Sequence, residues 1–173
     1  MAMVYPGFES FVAPARARSE LWRTGVGFAL AFALYGLGAM AVILGGGLLF
    51  QGAVSPEDIA AARAPLPLII ILFHFMAMAA AVWIIVRLLH KRSFASLFGP
   101  LSQVRRDFLR MAGIAVLISA FFSGAALLFE DLTPNTPLST WLAFLPLALP
   151  RILIQTGAEE IVFRGYLLQQ LGA

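Results

Sequence analysis

The sequence contains no cysteine, so it can form neither a disulfide framework nor a cysteine metal site, and it has no thiolate nucleophile. Charged side chains are also scarce: 173 residues include 12 Lys and Arg and 9 Asp and Glu, with two His. The charges are grouped between long uncharged stretches, which is how a bilayer-spanning chain distributes them. These absences exclude a cytosolic enzyme of the ordinary type.

Apolar residues are unusually abundant in this sequence. They make up 61% of the chain, whereas soluble proteins average about 45 to 50%. The formal net charge is +3, but the positive residues lie in short segments between apolar runs, where membrane topology accounts for them. We therefore expect the lipid bilayer as a partner and no nucleic acid.

Four segments are each long enough to cross a bilayer at about 1.5 Å per residue. Residues 24–50, 66–86 and 111–129 carry no charge, and a fourth segment, about 141–168, runs into charged residues. Residues 1–23 are assigned to a cytoplasmic arm. The sequence predicts an all-α fold, a polytopic transmembrane helix bundle of four spans within residues 24–173.

The distribution of Lys and Arg predicts the orientation of this bundle. Segments 1–23 and 87–110 together hold nine of them, whereas segment 51–65 holds only Arg63 and segment 130–140 holds none. Cytoplasmic loops retain such cations. We expect a multi-pass protein with its N-terminus in the cytoplasm.

Small residues recur at four-residue spacing in two spans. They are Gly25, Ala29 and Ala33 in the first span, with Ala115, Ser119 and Ser123 in the third. This spacing allows helices to approach closely, and we interpret it as packing within one bundle.

Neither histidine is expected to be a metal ligand or a catalytic group. His74 lies midway along the second span, where an imidazole is typically packed and hydrogen-bonded. His90 is assigned to a loop.

The fourth span contains polar residues in its interior. If it begins at Trp141, Arg151 lies about 15 Å along the helix, near the bilayer centre. An Arg at that depth costs about 2.5 to 3.5 kcal/mol on insertion scales, so the bundle must provide polar partners. Gln155 and Glu159 continue a polar stripe at four-residue intervals.

Two adjacent carboxylates at the end of this span cannot have the same role, because neighbouring helical residues point about 100° apart. Glu160 has Arg164 four residues later, in the order that favours an ion pair. Glu159 has no cation nearby in its own helix, which suits it to act as a general base or acid. The alternative is that these residues only mark the cytoplasmic end of a span.

The segment QTGAEEIVFRGYLL, residues 155–168, resembles the EExxxR motif of the CPBP family. This family comprises CAAX-protease and bacteriocin-processing membrane proteins, including CAAX prenyl protease 2 and the Abi proteins. The resemblance implies an intramembrane endopeptidase of a bacterial cell membrane, acting on a membrane-associated peptide or protein. It implies that Glu159 activates water and that Glu160 and Arg164 support it as further members of the catalytic motif.

The family pattern continues with FxxxH and HxxxN or HxxxD motifs, which do not occur between Arg164 and Ala173. His74 and His90 precede EExxxR and cannot replace them in order. We expect this chain to be a truncated form of such a protein, inactive by itself. Any divalent metal site implied by the resemblance would be incomplete here, since its ligands are missing.

A non-enzymatic function is the competing hypothesis. The chain would then be an immunity or scaffold factor, or a transporter fragment in which Arg151 and Glu159 bind an ion or solute.

Overall fold

The structure is a computed structural model that describes residues 6–50, 52–61, 65–99, 101–129 and 137–173. Within these ranges the chain is all-helical, as predicted, without a strand. Arg63 and most of the segment between the third and fourth predicted spans lie outside the described residues.

Eight α-helices follow one another among the described residues. They are α1 (Pro6–Val12), α2 (Leu21–Leu49), α3 (Pro56–Ala61), α4 (Pro65–Leu72), α5 (His74–Leu88), α6 (Leu101–Phe129), α7 (Leu138–Glu160) and α8 (Leu168–Gly172). Two 3₁₀ helices, Ala13–Arg18 and Phe94–Leu97, and a π-helix, Ile161–Leu167, complete the chain.

Three stretches of the described chain are long and apolar enough to cross a membrane: Leu21–Leu49, Leu66–Leu88 and Ser102–Phe129. They correspond to the first three predicted spans, and the fourth predicted span is not among them. The second stretch comprises α4 and α5, which a turn at Phe73 separates. The third stretch lies in α6, which begins at Leu101, ten residues before the predicted start at residue 111. The helix begins this early because no helix breaker follows Gly99 and Pro100.

The chain divides into two compact units, one of Met1–Leu97 with Phe144–Ala173 and one of Phe98–Ala143. In the first unit α2 packs along α5, and the π-helix packs on the C-terminal part of α5. Their shared core consists of Ala31, Ala81, Val82, Ile85, Val86, Leu97, Val162 and Tyr166. A smaller cluster of Val54, Ile59 and Ile70 holds α3 and α4 against α2.

Close helix approach occurs on a different face of α2 from the one that the spacing predicted. Gly25 has open space around it, and Ala29 and Ala33 are exposed, so that prediction is wrong. The glycine two residues after Gly25 makes the contact instead: a Cβ on Gly27 would collide with the Tyr166 hydroxyl. Four-residue spacing fits several helix faces equally well, and only the partner helix selects one.

The N-terminal segment is packed rather than extended. Val12 and Ala15 are buried, and Val12 lies against Gly172 of α8. Arg18 and Arg23 donate Nη1 hydrogen bonds to the Leu89 carbonyl, at 3.4 and 3.2 Å. Cations at a helix C-terminus are favourable, so these guanidinium groups stabilise the end of α5.

Candidate functional site

The EExxxR residues lie where α7 changes into the π-helix. Glu159 and Glu160 are the last two residues of α7, and Arg164 is in the π-helix. The wider winding continues to Leu168, whose N–H bonds to the Phe163 carbonyl five residues back. Short π-helical segments are frequent at functional sites because they redirect side chains locally.

Gly165 lets this π-helix approach the second 3₁₀ helix. A Cβ at this position would lie 3.2 Å from the carbonyl oxygen of Leu97 and 3.3 Å from its side chain. A residue with a side chain would push the two segments apart. The glycine of the FRGY sequence therefore has a packing role beside the carboxylates.

Glu160 and Arg164 form the ion pair that their spacing predicts. Arg164 Nη1 lies 2.7 Å from Glu160 Oε2. The Glu160 side chain is 52% exposed and the Arg164 side chain is 76% exposed. Because both side chains are exposed, this ion pair should stabilise the helix only as much as a surface pair does, by about 0.3 to 0.5 kcal/mol.

Glu159 is half-buried and has no ion-pair partner among the described residues. The Gln155 amide donates a hydrogen bond to it, with Nε2 3.5 Å from Oε1. Tyr35 of α2 is close enough to interact electrostatically with the carboxylate. The geometry thus separates the two glutamates, one of which is paired with a cation while the other is not.

A small apolar cavity begins one turn after Glu159. Its volume is about 70 Å³, and it lies between α2, α5 and the π-helix. The lining residues are Phe28, Ala31, Phe32, Tyr35, Met78, Val82, Val162, Phe163 and Tyr166. Because its lining is apolar, the cavity is suited to an aliphatic group.

Arg151 does not continue the polar stripe to Gln155 and Glu159. Its Nη1 donates to the Ile69 carbonyl, and its guanidinium carbon lies 4.2 Å from the centroid of the Phe73 ring. An Arg within an apolar span was expected to have polar partners, and Arg151 has two: a backbone carbonyl and the face of an aromatic ring.

His74 is packed and hydrogen-bonded, as predicted. Its Nδ1 contacts the Ile71 carbonyl, and its ring stacks on Tyr35 with centroids 5.5 Å apart. These contacts place it at the start of α5, on the side that faces α2.

His90 is a structurally important residue that sequence reasoning assigned only to a loop. It is 4% exposed, and its ring nitrogens lie within 3.2 Å of groups on Arg18, Tyr166 and Gln170. The neighbouring Arg92 donates to Gln169 Oε1 at 2.6 Å. Nothing in the local sequence distinguishes His90 from a solvated loop histidine, since its partners are more than 70 residues away.

The described residues contain no group of three or more His, Asp or Glu side chains that could hold a metal ion. The described residues therefore do not supply the ligands of the divalent metal that the resemblance implies.

Comparison with known proteins finds a relative of this chain among curated sequences. The chain is 32% identical over 178 residues to the uncharacterized protein YyaK of Bacillus subtilis (strain 168). The match covers 94% of this chain and 57% of the relative, so the chain spans little more than half the relative's length. No family model matches the chain, and no solved structure matches it significantly.

Proposed function

We propose that this chain is the EExxxR-bearing part of a CPBP-type intramembrane endopeptidase, with Glu159 as the general base. The observation that supports it is the difference between two adjacent carboxylates. Glu160 is neutralised by Arg164 at 2.7 Å, whereas Glu159 is half-buried without a cation among the described residues. A general base must keep its lone pairs available for a proton, and Glu159 meets this requirement.

The proposed role of each group follows from its contacts. Glu159 takes a proton from a water molecule that attacks the peptide bond of a membrane-associated substrate. The Gln155 amide, 3.5 Å away, orients the carboxylate without neutralising it. Glu160 keeps the Arg164 guanidinium away from Glu159. The histidines of the later family motifs would stabilise the reaction from outside this segment.

The proposed topology has four spans, with α7 and the π-helix as the fourth and the N-terminus in the cytoplasm. The excess of Lys and Arg in residues 1–23 and 87–110 supports it. Reporter fusions at Asp58 and Asn135 should report the outer side, and a fusion at Ser96 the cytoplasm. The reverse signal at any one of these positions would contradict the arrangement.

The test of proteolysis begins with the genomic DNA that follows codon 173. We expect in-frame FxxxH and HxxxN or HxxxD motifs there. In the complete protein, Glu159→Gln should abolish cleavage while the protein still accumulates in the membrane. Glu160→Gln, the matched control, should retain partial activity; full activity of Glu159→Gln would disprove its role as the base.

A second candidate function is the binding or transport of an ion or solute. The observation that favours it is the break between α4 and α5 at Phe73, where Arg151 donates to the part-buried carbonyl of Ile69. Interrupted helices with polar groups near the bilayer centre are typical of transporter sites. A reading frame that stops without either histidine motif would favour this candidate.

A further inference from the structure

His90 lies where four segments of the first unit meet. Its Nε2 is 3.0 Å from the Tyr166 hydroxyl of the π-helix, and its Nδ1 is 3.0 Å from Gln170 Nε2 of α8. The same Nδ1 is 3.2 Å from the Arg18 carbonyl of the first 3₁₀ helix. The Tyr166 hydroxyl also lies 3.4 Å from the Thr24 carbonyl of α2. One imidazole therefore connects the segment after EExxxR to the N-terminal segment and to α2.

A neutral imidazole offers one donor and one acceptor, and both of its tautomers use the acceptor toward the C-terminal segment. If Nε2 carries the proton, Nδ1 accepts from the Gln170 amide. If Nδ1 carries the proton, it donates to the Arg18 carbonyl and Nε2 accepts from the Tyr166 hydroxyl. A second proton makes both ring nitrogens donors, so the Gln170 amide loses its acceptor on Nδ1. The Tyr166 hydroxyl can still accept from Nε2–H and donate to the Thr24 carbonyl.

The charges around His90 oppose a second proton. The charged and titratable groups that face it are Arg18, Glu20, Arg23, Arg92 and Tyr166. Burial lowers the pKa of His90 below its ordinary 6.5, and the charges of Arg92 and Arg23 act in the same direction. The hydrogen bond to the Arg18 carbonyl and the charge of Glu20 oppose that shift.

We propose that neutral His90 is a positioning residue that holds the π-helix and α8 against α2 and the N-terminal segment, and that its protonation releases them. Only an effect of this release on Glu159, which lies two residues before the π-helix, rests on the proposed function. The docking itself is a property of the fold. It can be measured without any substrate.

The experiment uses the absence of native cysteine to label single introduced thiols in the detergent-solubilised chain. Val162→Cys places a thiol on the π-helix at a site that is 8% exposed, and Phe163→Cys provides the exposed reference beside it. The rate of maleimide labelling at 162 is divided by that at 163, which cancels the intrinsic effect of pH on thiols. We expect this ratio to rise about fivefold or more from about pH 7.5 to about pH 5.5.

Two matched variants identify the group that titrates. His90→Gln cannot gain the proton, and in this background the ratio should change less than about twofold over the same pH range. His74→Gln removes the other imidazole and should leave the rise intact. If His90→Gln does not accumulate, His90→Asn replaces it, with the same expected result.

Val82→Cys on α5 separates local release from general unfolding, since Val82 is 1% exposed and faces the same core. Its labelling should stay slow at both pH values. A parallel rise at Val82, a rise that persists without His90, or a constant ratio in the native background would each overturn the proposal. The readout involves no proteolysis, so the absence of peptidase activity would contradict the proposed function alone.

Discussion

The guanidinium of Arg151 donates a hydrogen bond to the backbone carbonyl of Ile69, a residue 82 positions earlier in the chain. This carbonyl is available because the Phe73 N–H bonds to the Ile70 carbonyl, at 3.0 Å, where the helix turns between α4 and α5. In an uninterrupted α-helix the Phe73 N–H would bond to Ile69 itself. The two residues thus join α7 to the interruption of the second apolar stretch.

Removing this contact should destabilise the protein. In Arg151→Leu the Ile69 carbonyl loses its donor, which costs about 1 to 3 kcal/mol for a buried group. For a chain of this size we expect the melting temperature in detergent to fall by about 2 to 12 °C. Arg151→Lys should lose less, because it keeps a donor.

The matched control on the same helix is Thr156→Val. Thr156 is exposed, and its hydroxyl bonds only to carbonyls of its own helix, with Ile152 at 2.9 Å. We expect a change within about 0.5 kcal/mol. Equal melting of Arg151→Leu and the native chain would contradict a stabilising role for the Ile69 contact.

The Glu160–Arg164 pair should give a small but measurable coupling. A double-mutant cycle of Glu160→Gln and Arg164→Gln, followed by thermal or denaturant unfolding, should yield about 0.3 to 0.5 kcal/mol. The matched cycle of Glu159→Gln with Arg164→Gln should yield none, since the structure pairs Arg164 with Glu160 only. Coupling in the second cycle equal to that in the first would mean that both carboxylates share the guanidinium.

Gly27 should tolerate no side chain, because Tyr166 packs directly on it. In Gly27→Ala the new Cβ would meet the Tyr166 hydroxyl and lie 3.1 Å from both Ile85 and Leu89. Such overpacking costs about 1 to 3 kcal/mol, so the melting temperature should fall. Gly25→Ala is the matched change two residues away in open space, and it should be stabilising by about 0.5 to 1 kcal/mol. Similar melting of the two variants would contradict this packing.

Stability should depend on pH through His90. Because its folded pKa is lowered, the unfolded chain binds the proton first as pH falls below the ordinary 6.5. Stability is therefore full above pH 6.5 and is lost as pH falls toward the folded pKa. Melting curves between about pH 7.5 and 5.5 should show this decline in the native chain, and His90→Gln should reduce it.

The lowered pKa of Glu20 acts in a separate pH range. A backbone hydrogen bond and the Arg23 side chain favour the ionised carboxylate of Glu20. Its contribution to stability is therefore present above its ordinary pKa of 4.5 and is lost as the pH falls below that value. A decline above pH 5 that is equally steep in His90→Gln would assign the effect to another group.

Local features were predictable from the sequence. Helix identity and the first three apolar stretches follow from composition and segment length, and the Glu160–Arg164 pair follows from a four-residue spacing within one helix. The packed state of His74 also follows, because an imidazole in an apolar segment must find a hydrogen bond. The catalytic roles of Glu159, Glu160 and Arg164 stay predictions, as does the fourth span.

Contacts between distant segments were decided only by the tertiary structure. The sequence required a partner for Arg151 but could not name Ile69, because that carbonyl becomes available only when the helix turns at Phe73. In the first span it placed the close helix approach on the face of Gly25, Ala29 and Ala33, whereas Tyr166 packs on Gly27. It gave no sign of the buried His90, whose partners come from three other segments. Spacing along one helix determines which of its side chains are neighbours. Burial depends instead on which segments pack together, and the spacing within a single helix does not determine that.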